Sequence, residues 1–184
     1  MKDTKIILVP LSADDREQFI LDNQWAFKHG ALMEFGKRDD HIDDDGEIIS
    51  RKTIERCIDD PQNETYRIVA NGKRVGGVIL KIDNKTHRNH LDILFTLPDE
   101  HSKGIGYAAW QAVEALHPET VVWETCTPYF EKRNIHFYVN KCGFMIDQFW
   151  CEHFQPTHEM PDDEERDPGE GPDEMFRLVK VMKH

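Results

Sequence analysis

The chain has 184 residues, of which 39% are hydrophobic, and a net charge of -12 at pH 7. This length suits one domain with a proper core, so we predict a single domain over 1–184. The negative charge argues against nonspecific binding to nucleic acids and to anionic membranes, which require a basic surface. No apolar run approaches the roughly 20 residues of a membrane span. Four cysteines without C-x-x-C spacing indicate reduced thiols, and these features together predict a cytoplasmic protein.

Hydrophobic periodicity and turn residues predict elements in the order β-α-α-β-β-β-α-β-α-β-β. In chain order they are a strand at 6–9, a helix from Ser12 to Gly30, a helix from Ser50 to before Pro61, strands at 66–70, 75–82 and 90–97, a helix at 105–116, a strand at 121–125, a helix at 131–142, and strands at 144–154 and 175–182. Ser12 and Ser50 are good N-caps, and Asn71-Gly72 is a strong hairpin signal. This order predicts a mixed α/β or α+β fold with at least one parallel strand pair.

Two acidic stretches interrupt the predicted elements. The segment 35–46 is irregular, and 155–173 combines many acidic residues with four prolines, so we predict the latter to be a mobile loop between the last two strands. A calcium loop in the first stretch would start at His41 and end at Lys52, where an Asp and a Glu are required. Both ends are wrong, and the histidines show no helical ligand spacing, so no metal site is predicted.

The segment from Ser102 to Tyr107 carries most of the functional information. It joins a predicted strand to a predicted helix, and the first amides of a helix lack intrahelical acceptors and carry partial positive charge. Gly104 and Gly106 remove the Cβ atoms that would keep a diphosphate away, and Lys103 adds a positive charge. The alternative is that the two glycines only make the start of the helix more flexible and that no ligand binds there.

The two glycines do not match the common nucleotide motifs. Ala109 stands where the third glycine of a dinucleotide-binding fingerprint would be, if Gly104 is the first. No Gly-Lys-Ser/Thr follows a four-residue gap, so the segment is not a P-loop either. The sequence therefore favours a phosphate-bearing ligand other than NAD or ATP.

Several short motifs together resemble the GNAT superfamily of acyl-CoA-dependent N-acetyltransferases. They are Leu94-Phe95-Thr96-Leu97-Pro98, Lys103-Gly104-Ile105-Gly106, Asn134, Phe137-Tyr138 and Gly143-Phe144. The order of elements fits this family along the whole chain. The resemblance implies a mixed, mostly antiparallel sheet of six to seven strands, about four helices, and a central parallel strand pair that splays apart.

The resemblance also implies that acetyl-CoA is the cosubstrate. Backbone groups of Leu94 and Thr96 would pair with the pantetheine arm, and amides of the loop would hold the diphosphate. The implied cofactor-binding residues are Leu94, Phe95, Thr96, His101, Ser102, Lys103, Gly104, Ile105, Gly106, Tyr107 and Asn134. An alternative for Asn134 is that it simply begins or caps a helical turn.

Two residues fall at positions that the family uses in catalysis. The resemblance implies that Tyr138 protonates the leaving thiolate and that Glu124 acts as a base for the incoming amine. Glu124 lies in an otherwise apolar strand, and such surroundings are expected to raise its pKa towards that of a base. The alternatives are an ion-paired Glu124 at the sheet margin and a Tyr138 that belongs to the core.

Three departures from the family pattern bear on these roles. His101 stands where the family usually has Gln or Arg. The distance from Tyr138 to Gly143 is five residues instead of four, so either the helix holds a bulge or the tyrosine is displaced, because one residue turns a helix by about 100°. The segment 125–132 makes a longer excursion than usual.

The sequence predicts direct transfer of the acetyl group to a primary amine. Cys126 has no base partner evident from the sequence, which argues against a covalent acetyl-enzyme. The acceptor is a small molecule or peptide, and the acidic balance favours a cationic one such as a polyamine, an aminoglycoside or a basic peptide. His90 and Asp92 share one strand face, where they either line the acceptor pocket or are ordinary surface residues.

Two functional alternatives to an N-acetyltransferase stay open from the sequence. The chain could be a non-catalytic acyl-CoA-binding sensor or partner module instead of an enzyme. It could also be a phosphate-binding domain of unrelated fold, which affinity for ATP or NAD would reveal. A homodimer is compatible with every one of these hypotheses.

Overall fold

The computed structural model describes residues 5–35, 47–100, 104–156 and 174–183. The predictions for 36–46, for His101, Ser102 and Lys103, and for 157–173 therefore lie outside the described residues. The strands are β1 (Ile6–Pro10), β2 (Asn63–Ala70), β3 (Lys73–Lys81), β4 (Arg88–Thr96), β5 (Val122–Pro128), β6 (Met145–Trp150) and β7 (Met175–Val181). The helices are α1 (Arg16–Phe35), α2 (Arg51–Asp59), α3 (Ile105–Leu116) and α4 (Lys132–Ile135), which continues as a π-helix over His136–Cys142.

The seven strands form one sheet in the order β1-β2-β3-β4-β5-β7-β6. Strand β4 runs parallel to β5, with the register Arg88↔Val122, Asn89↔Trp123 and His90↔Glu124. The pairs β1–β2, β2–β3, β5–β7 and β6–β7 are antiparallel. The structure confirms the predicted mixed α/β fold with a mostly antiparallel sheet and one parallel pair.

The helix boundaries show which sequence signals acted as expected. The Ser50 side chain accepts a hydrogen bond from the Thr53 amide at 3.0 Å, which confirms the predicted N-cap of α2. Ser12 precedes a 3-10 turn at Ala13–Asp15, and its side chain makes no capping bond there. α1 continues past Gly30 to Phe35, because one glycine costs only about 1 kcal/mol relative to alanine in a helix interior.

The chain divides into two compact units. Residues 1–81 and 91–118 form the first unit, and residues 82–90 and 119–184 form the second. The first contains β1–β3, the greater part of β4, and α1–α3. The second contains the start of β4, β5–β7 and α4 with its π-helix. The prediction of a single domain stays a prediction.

The core of the first unit depends on two glycines in β3. The Phe19 ring of α1 packs edge-on against the Phe95 ring of β4, with 5.2 Å between ring centroids. A Cβ atom at Gly77 would lie 2.3 Å from Phe19 and 2.6 Å from Phe95, and one at Gly76 would lie 2.1 Å from the Phe95 carbonyl oxygen. The aromatic pair can therefore close over the sheet only because β3 lacks side chains at this point.

Buried polar groups fix the start of β4 within the second unit. The fully buried Asn89 side chain donates to Thr120 at 2.8 Å and accepts from the Asp83 amide at 2.9 Å. Since a buried amide without partners would be costly, these bonds hold β4 in register with the segment before β5.

None of the helices in the described ranges is both long and apolar enough to cross a bilayer.

Gly77→Ala should destabilise the protein by about 1–3 kcal/mol, because the added methyl group overpacks the Phe19–Phe95 contact. Urea unfolding measures the change. Gly30→Ala is the matched control, because a Cβ there meets nothing within 4 Å and alanine is the better helix former. Equal stability of Gly77→Ala and the parent protein would contradict the packing described above.

Candidate active site

The N-terminus of α3 has the form expected of an anion site. Gly104 adopts a left-handed conformation with φ of 75° immediately before the helix. The first intrahelical bond joins the Ala108 amide to the Gly104 carbonyl at 3.0 Å. The amides of Ile105, Gly106 and Tyr107 therefore have no acceptor within the helix, and the helix dipole adds positive charge at this end.

Burial of one face of α3 fixes where these amides lie. Ile105, Ala109, Trp110 and Val113 are buried, whereas Gly104 and Tyr107 are exposed. A Cβ at Gly104 would meet nothing within 4 Å, so the space in front of the helix is open as far as the described residues show.

The strand residues predicted to bind the cofactor differ in what they can offer. The side chains of Leu94 and Thr96 are half-buried. The Phe95 ring is buried in the core against Phe19, so only its backbone is available to a ligand. The backbone carbonyl of Val75 accepts from the Leu97 amide at 2.8 Å, which ties the end of β4 to β3.

The unusual spacing between Tyr138 and Gly143 is accommodated by the π-helix. Residues His136–Cys142 are π-helical, so the extra residue is absorbed as the bulge that the sequence left open as one alternative. Gly143 ends the helix in a left-handed conformation with φ of 80°. The amides of Gly143 and Phe144 both donate to the Tyr138 carbonyl.

The Tyr138 side chain is buried among aromatic rings and bonded to β5. Its ring lies 5.2 Å from that of Phe137 and 5.6 Å from that of Phe144. Burial raises the pKa of Tyr138 well above its ordinary value, and a hydrogen bond with Thr125 offsets only part of this rise. The phenol therefore stays protonated at neutral pH and keeps an O–H group that can donate a hydrogen bond.

Glu124 lies within a set of charged side chains that we call the carboxylate cluster, defined by Arg88, Glu124, Asp147 and Arg177. One Glu124 oxygen accepts from Arg88 at 2.7 Å, and the other accepts from Arg177 at 2.7 Å. Arg177 also pairs with Asp147. Glu124 and Arg177 each expose 19% of their side chains, so this ion pair is better shielded from water than an ordinary surface pair.

The expected rise in the pKa of Glu124 was wrong. Partial burial does push this pKa up, but hydrogen bonds from Arg177 and Arg88 outweigh burial and place the pKa below its ordinary value. The sequence could not show this, because the two arginines lie 53 and 36 residues away along the chain. The ion-paired alternative for Glu124 describes its surroundings correctly.

The structure does not bring Glu124 and Tyr138 onto the same face of β5. Successive side chains of a strand point to opposite faces. Tyr138 bonds to Thr125, whereas Glu124 and Cys126 point to the other face, where Cys126 is directly opposite Arg177. Glu124 and the Thr125 side chain that bonds to Tyr138 therefore lie on opposite faces of this strand.

The neighbouring predicted residues are placed as follows. Asn134 is exposed in the first turn of α4, whose N-cap is Glu131, so Asn134 does not cap the helix. The Asp92 carboxylate accepts a hydrogen bond from the Asn63 side chain at 2.9 Å, as expected for an ordinary polar residue.

The loop predicted at 125–132 is shorter than expected. Strand β5 continues to Pro128 and pairs there with Met175, so only the few residues after Pro128 lie outside the strand.

Sequence reasoning missed one contact in the second unit. The Cys126 sulfur lies 3.9 Å from the His90 Nε2 atom, so the cysteine does have an imidazole neighbour. The parallel register His90↔Glu124 creates the contact, because Cys126 follows Glu124 on the same face. Only knowledge of this register could have revealed the pair.

Within the described ranges, no group of three or more His, Cys, Asp or Glu side chains is arranged to hold a metal ion.

Comparison with known proteins identifies the family. The model of the acetyltransferase (GNAT) family matches residues 21–144. The chain belongs to this family. It is also 42% identical to the uncharacterized protein YrkN of Bacillus subtilis (strain 168) over 180 residues, which cover 97% of this chain and 95% of YrkN.

Solved structures share the GNAT fold at low sequence identity. The PaiA N-acetyltransferase of Thermoplasma acidophilum, in complex with coenzyme A, superposes with a TM-score of 0.63 at 16% sequence identity. The match covers 97% of this chain and 99% of the PaiA chain. The spermidine N-acetyltransferase of Vibrio cholerae, in complex with CoA and spermine, superposes with a TM-score of 0.64 at 13% sequence identity. The match covers 96% of this chain and 95% of the Vibrio cholerae chain. The membership excludes the hypothesis of a phosphate-binding domain of unrelated fold.

Glu124→Gln should lower stability at neutral pH but not in acid. The pKa of Glu124 is lower in the folded protein than in the unfolded chain, so its ionised form stabilises the fold above the unfolded-state pKa. This contribution is lost as the pH falls through the folded-state pKa. The difference in unfolding free energy between parent and variant should therefore shrink from about pH 5 downward.

Urea unfolding at several pH values measures this difference. Glu55→Gln is the control, because Glu55 forms an exposed pair with Arg51 within α2 and should change stability little at any pH. A difference for Glu124→Gln that does not vary with pH would show that the carboxylate is not held by the two arginines.

Proposed function

We propose that the protein is an N-acetyltransferase that transfers an acetyl group from acetyl-CoA directly to a primary amine. The observation that carries this proposal is the start of α3 in a GNAT chain, where left-handed Gly104 precedes three amides without intrahelical acceptors. The structures of two proteins of similar fold contain bound CoA, which supports acetyl-CoA as the proposed cosubstrate.

The diphosphate of CoA is proposed to bind at the amides of Ile105, Gly106 and Tyr107. Each amide can donate to a phosphate oxygen, and no side chain of Gly104 stands in front of them. Three further contacts are proposed from the sequence alone, namely those of His101, Ser102 and Lys103. Backbone groups of Leu94 and Thr96 are proposed for the pantetheine arm, and the exposed Asn134 side chain for a further polar contact.

Tyr138 is proposed to protonate the departing CoA thiolate. Its raised pKa keeps the proton on the phenol at neutral pH, so a hydrogen-bond and proton donor is in place as negative charge develops on the leaving sulfur. The Thr125 hydrogen bond and the neighbouring rings restrict the orientation of the phenol. A general acid of this kind typically contributes about 10²- to 10⁴-fold to the rate.

Glu124 is proposed to receive the amine proton through water. Its lowered pKa keeps it ionised at neutral pH, but it also makes the carboxylate a weak base. The amine should therefore lose its proton with little help, and the rate should increase with the fraction of acceptor that is already neutral.

The acceptor is proposed to be a cationic small molecule or a basic peptide. The net charge of -12 would attract such a molecule. The Vibrio cholerae enzyme of similar fold binds spermine, which supports a polyamine as the first compound to test. We propose the cytoplasm as the compartment, because the structure leaves all four cysteines as free thiols.

Gly104→Asp should weaken CoA binding by more than about tenfold relative to Gly104→Asn. Asparagine and aspartate have nearly the same size, and both tolerate the left-handed conformation better than other side chains. They differ in charge, so the comparison isolates the repulsion between a carboxylate and the diphosphate. Titration calorimetry with CoA measures both dissociation constants, and equal values would contradict the proposed diphosphate site.

Tyr138→Phe should lower kcat by about 10²- to 10⁴-fold with CoA affinity changed no more than a few-fold. The ring and its packing are kept, so unfolding should show only the loss of the hydrogen bond with Thr125. Tyr129→Phe is the control, because Tyr129 is an exposed tyrosine of the same unit.

A Tyr138→Phe variant with normal turnover would make Tyr138 a core residue, and loss of rate in Tyr129→Phe instead would move the acid to Tyr129. A parent protein that binds CoA but acetylates no amine would favour the alternative function, a non-catalytic acyl-CoA-binding module.

A further inference from the structure

The edge strand β6 and the turns beside it expose five large apolar side chains. In the described part of the chain, β6 is the last strand of the sheet and pairs with β7 alone. The exposed side chains are Tyr129, which follows β5, Met145, Ile146 and Phe149 of β6, and Phe154, which follows β6. They expose between 40% and 63% of their surface, and all belong to the second unit. We call these five side chains the β6 surface.

A β-bulge gathers part of the β6 surface on one face of the sheet. Asp147 is an extra residue in β6, so Ile146 and Phe149 are opposite β7 residues that are only two positions apart. Both side chains therefore point to the same face, whereas residues three apart in a regular strand point to opposite faces. The Phe149 ring lies 6.0 Å from the Tyr129 ring and 5.4 Å from the Phe176 ring. The bulge thus extends an exposed aromatic group with a further apolar side chain.

The charges of β6 do not oppose the approach of a second acidic molecule. Asp147 is the only charged residue of this strand, and it pairs with Arg177. The carboxylate cluster to which both belong contains two arginines and two carboxylates, so its net charge is zero. An unpaired charge on an edge strand would resist association. Two copies of a chain with a net charge of -12 repel each other, so contact is favoured where the strand adds no net charge.

The exposed apolar area is large enough for a dimer. An aromatic side chain buries about 150–250 Å² when it is fully covered, so a large apolar side chain that is half exposed still offers roughly 100 Å². The β6 surfaces of two copies would together bury on the order of 1,000 Å², which reaches the lower limit for a specific interface. The backbone edge of β6 would add to this area.

We propose that the protein forms a homodimer in which the β6 surfaces of two copies pack against each other around a two-fold axis. Such a contact uses the same surface on both copies and closes at two subunits. Pairing of β6 with β1, the strand at the other edge of the sheet, would use two different surfaces and would lead to open chains. The proposal does not depend on acetyl transfer.

Analytical ultracentrifugation over a range of protein concentrations tests the proposal through the dissociation constant of the dimer. Ile146→Lys should raise this constant at least about a hundredfold, because the interface contains the substituted residue twice and each copy should cost about tenfold. Ile7→Lys is the matched control, because Ile7 and Ile146 both expose 47% of their surface and lie on opposite edge strands. This control should change the constant no more than a few-fold.

Met145→Lys is a second variant in case Ile146→Lys does not fold, and it should also weaken the dimer, since Met145 exposes 63% of its surface. Circular dichroism of each variant checks the fold. A parent protein that sediments as a monomer at every concentration would overturn the proposal. An equal effect of Ile146→Lys and Ile7→Lys would indicate pairing of β6 with β1, and a dimer that no β6 substitution weakens would lie on another surface. Either result would also overturn the proposal.

Discussion

The burial of one side of α3 is the constraint on which the candidate site depends. Ile105, Trp110 and Val113 anchor the helix in the first unit, and this fixes the direction in which its first amides point. Gly104 adopts the left-handed conformation in which the chain enters the helix. Because glycine has no side chain, nothing of residue 104 stands in front of these amides. Phosphate affinity at this place would thus be a property of backbone geometry and core packing, with charged side chains as an addition.

The second unit shows how a local irregularity can preserve the position of a buried side chain. A one-residue insertion in a regular helix would rotate Tyr138 by about 100° relative to Gly143. The π-helix takes up the extra residue, so the tyrosine stays buried beside Thr125 while Gly143 still ends the helix. π-helical segments often occur at functional sites, in keeping with the proposed role of this phenol.

Local sequence signals predicted the helices, strands and turns well. The features that the sequence did not predict depend on contacts between residues far apart in the chain. The hairpin at Asn71-Gly72, the cap at Ser50 and the left-handed Gly143 each follow from neighbouring residues. The lowered pKa of Glu124 and the contact between Cys126 and His90 follow from strand register, which no local pattern encodes.

Hydrogen exchange of the backbone amides tests the central claim most directly. The account predicts that CoA slows exchange at Ile105, Gly106 and Tyr107, because these amides gain phosphate acceptors that the helix cannot provide. Pantetheine, which lacks the diphosphate, should leave their exchange unchanged. Binding of CoA without protection of these three amides would show that the start of α3 is an ordinary helix end.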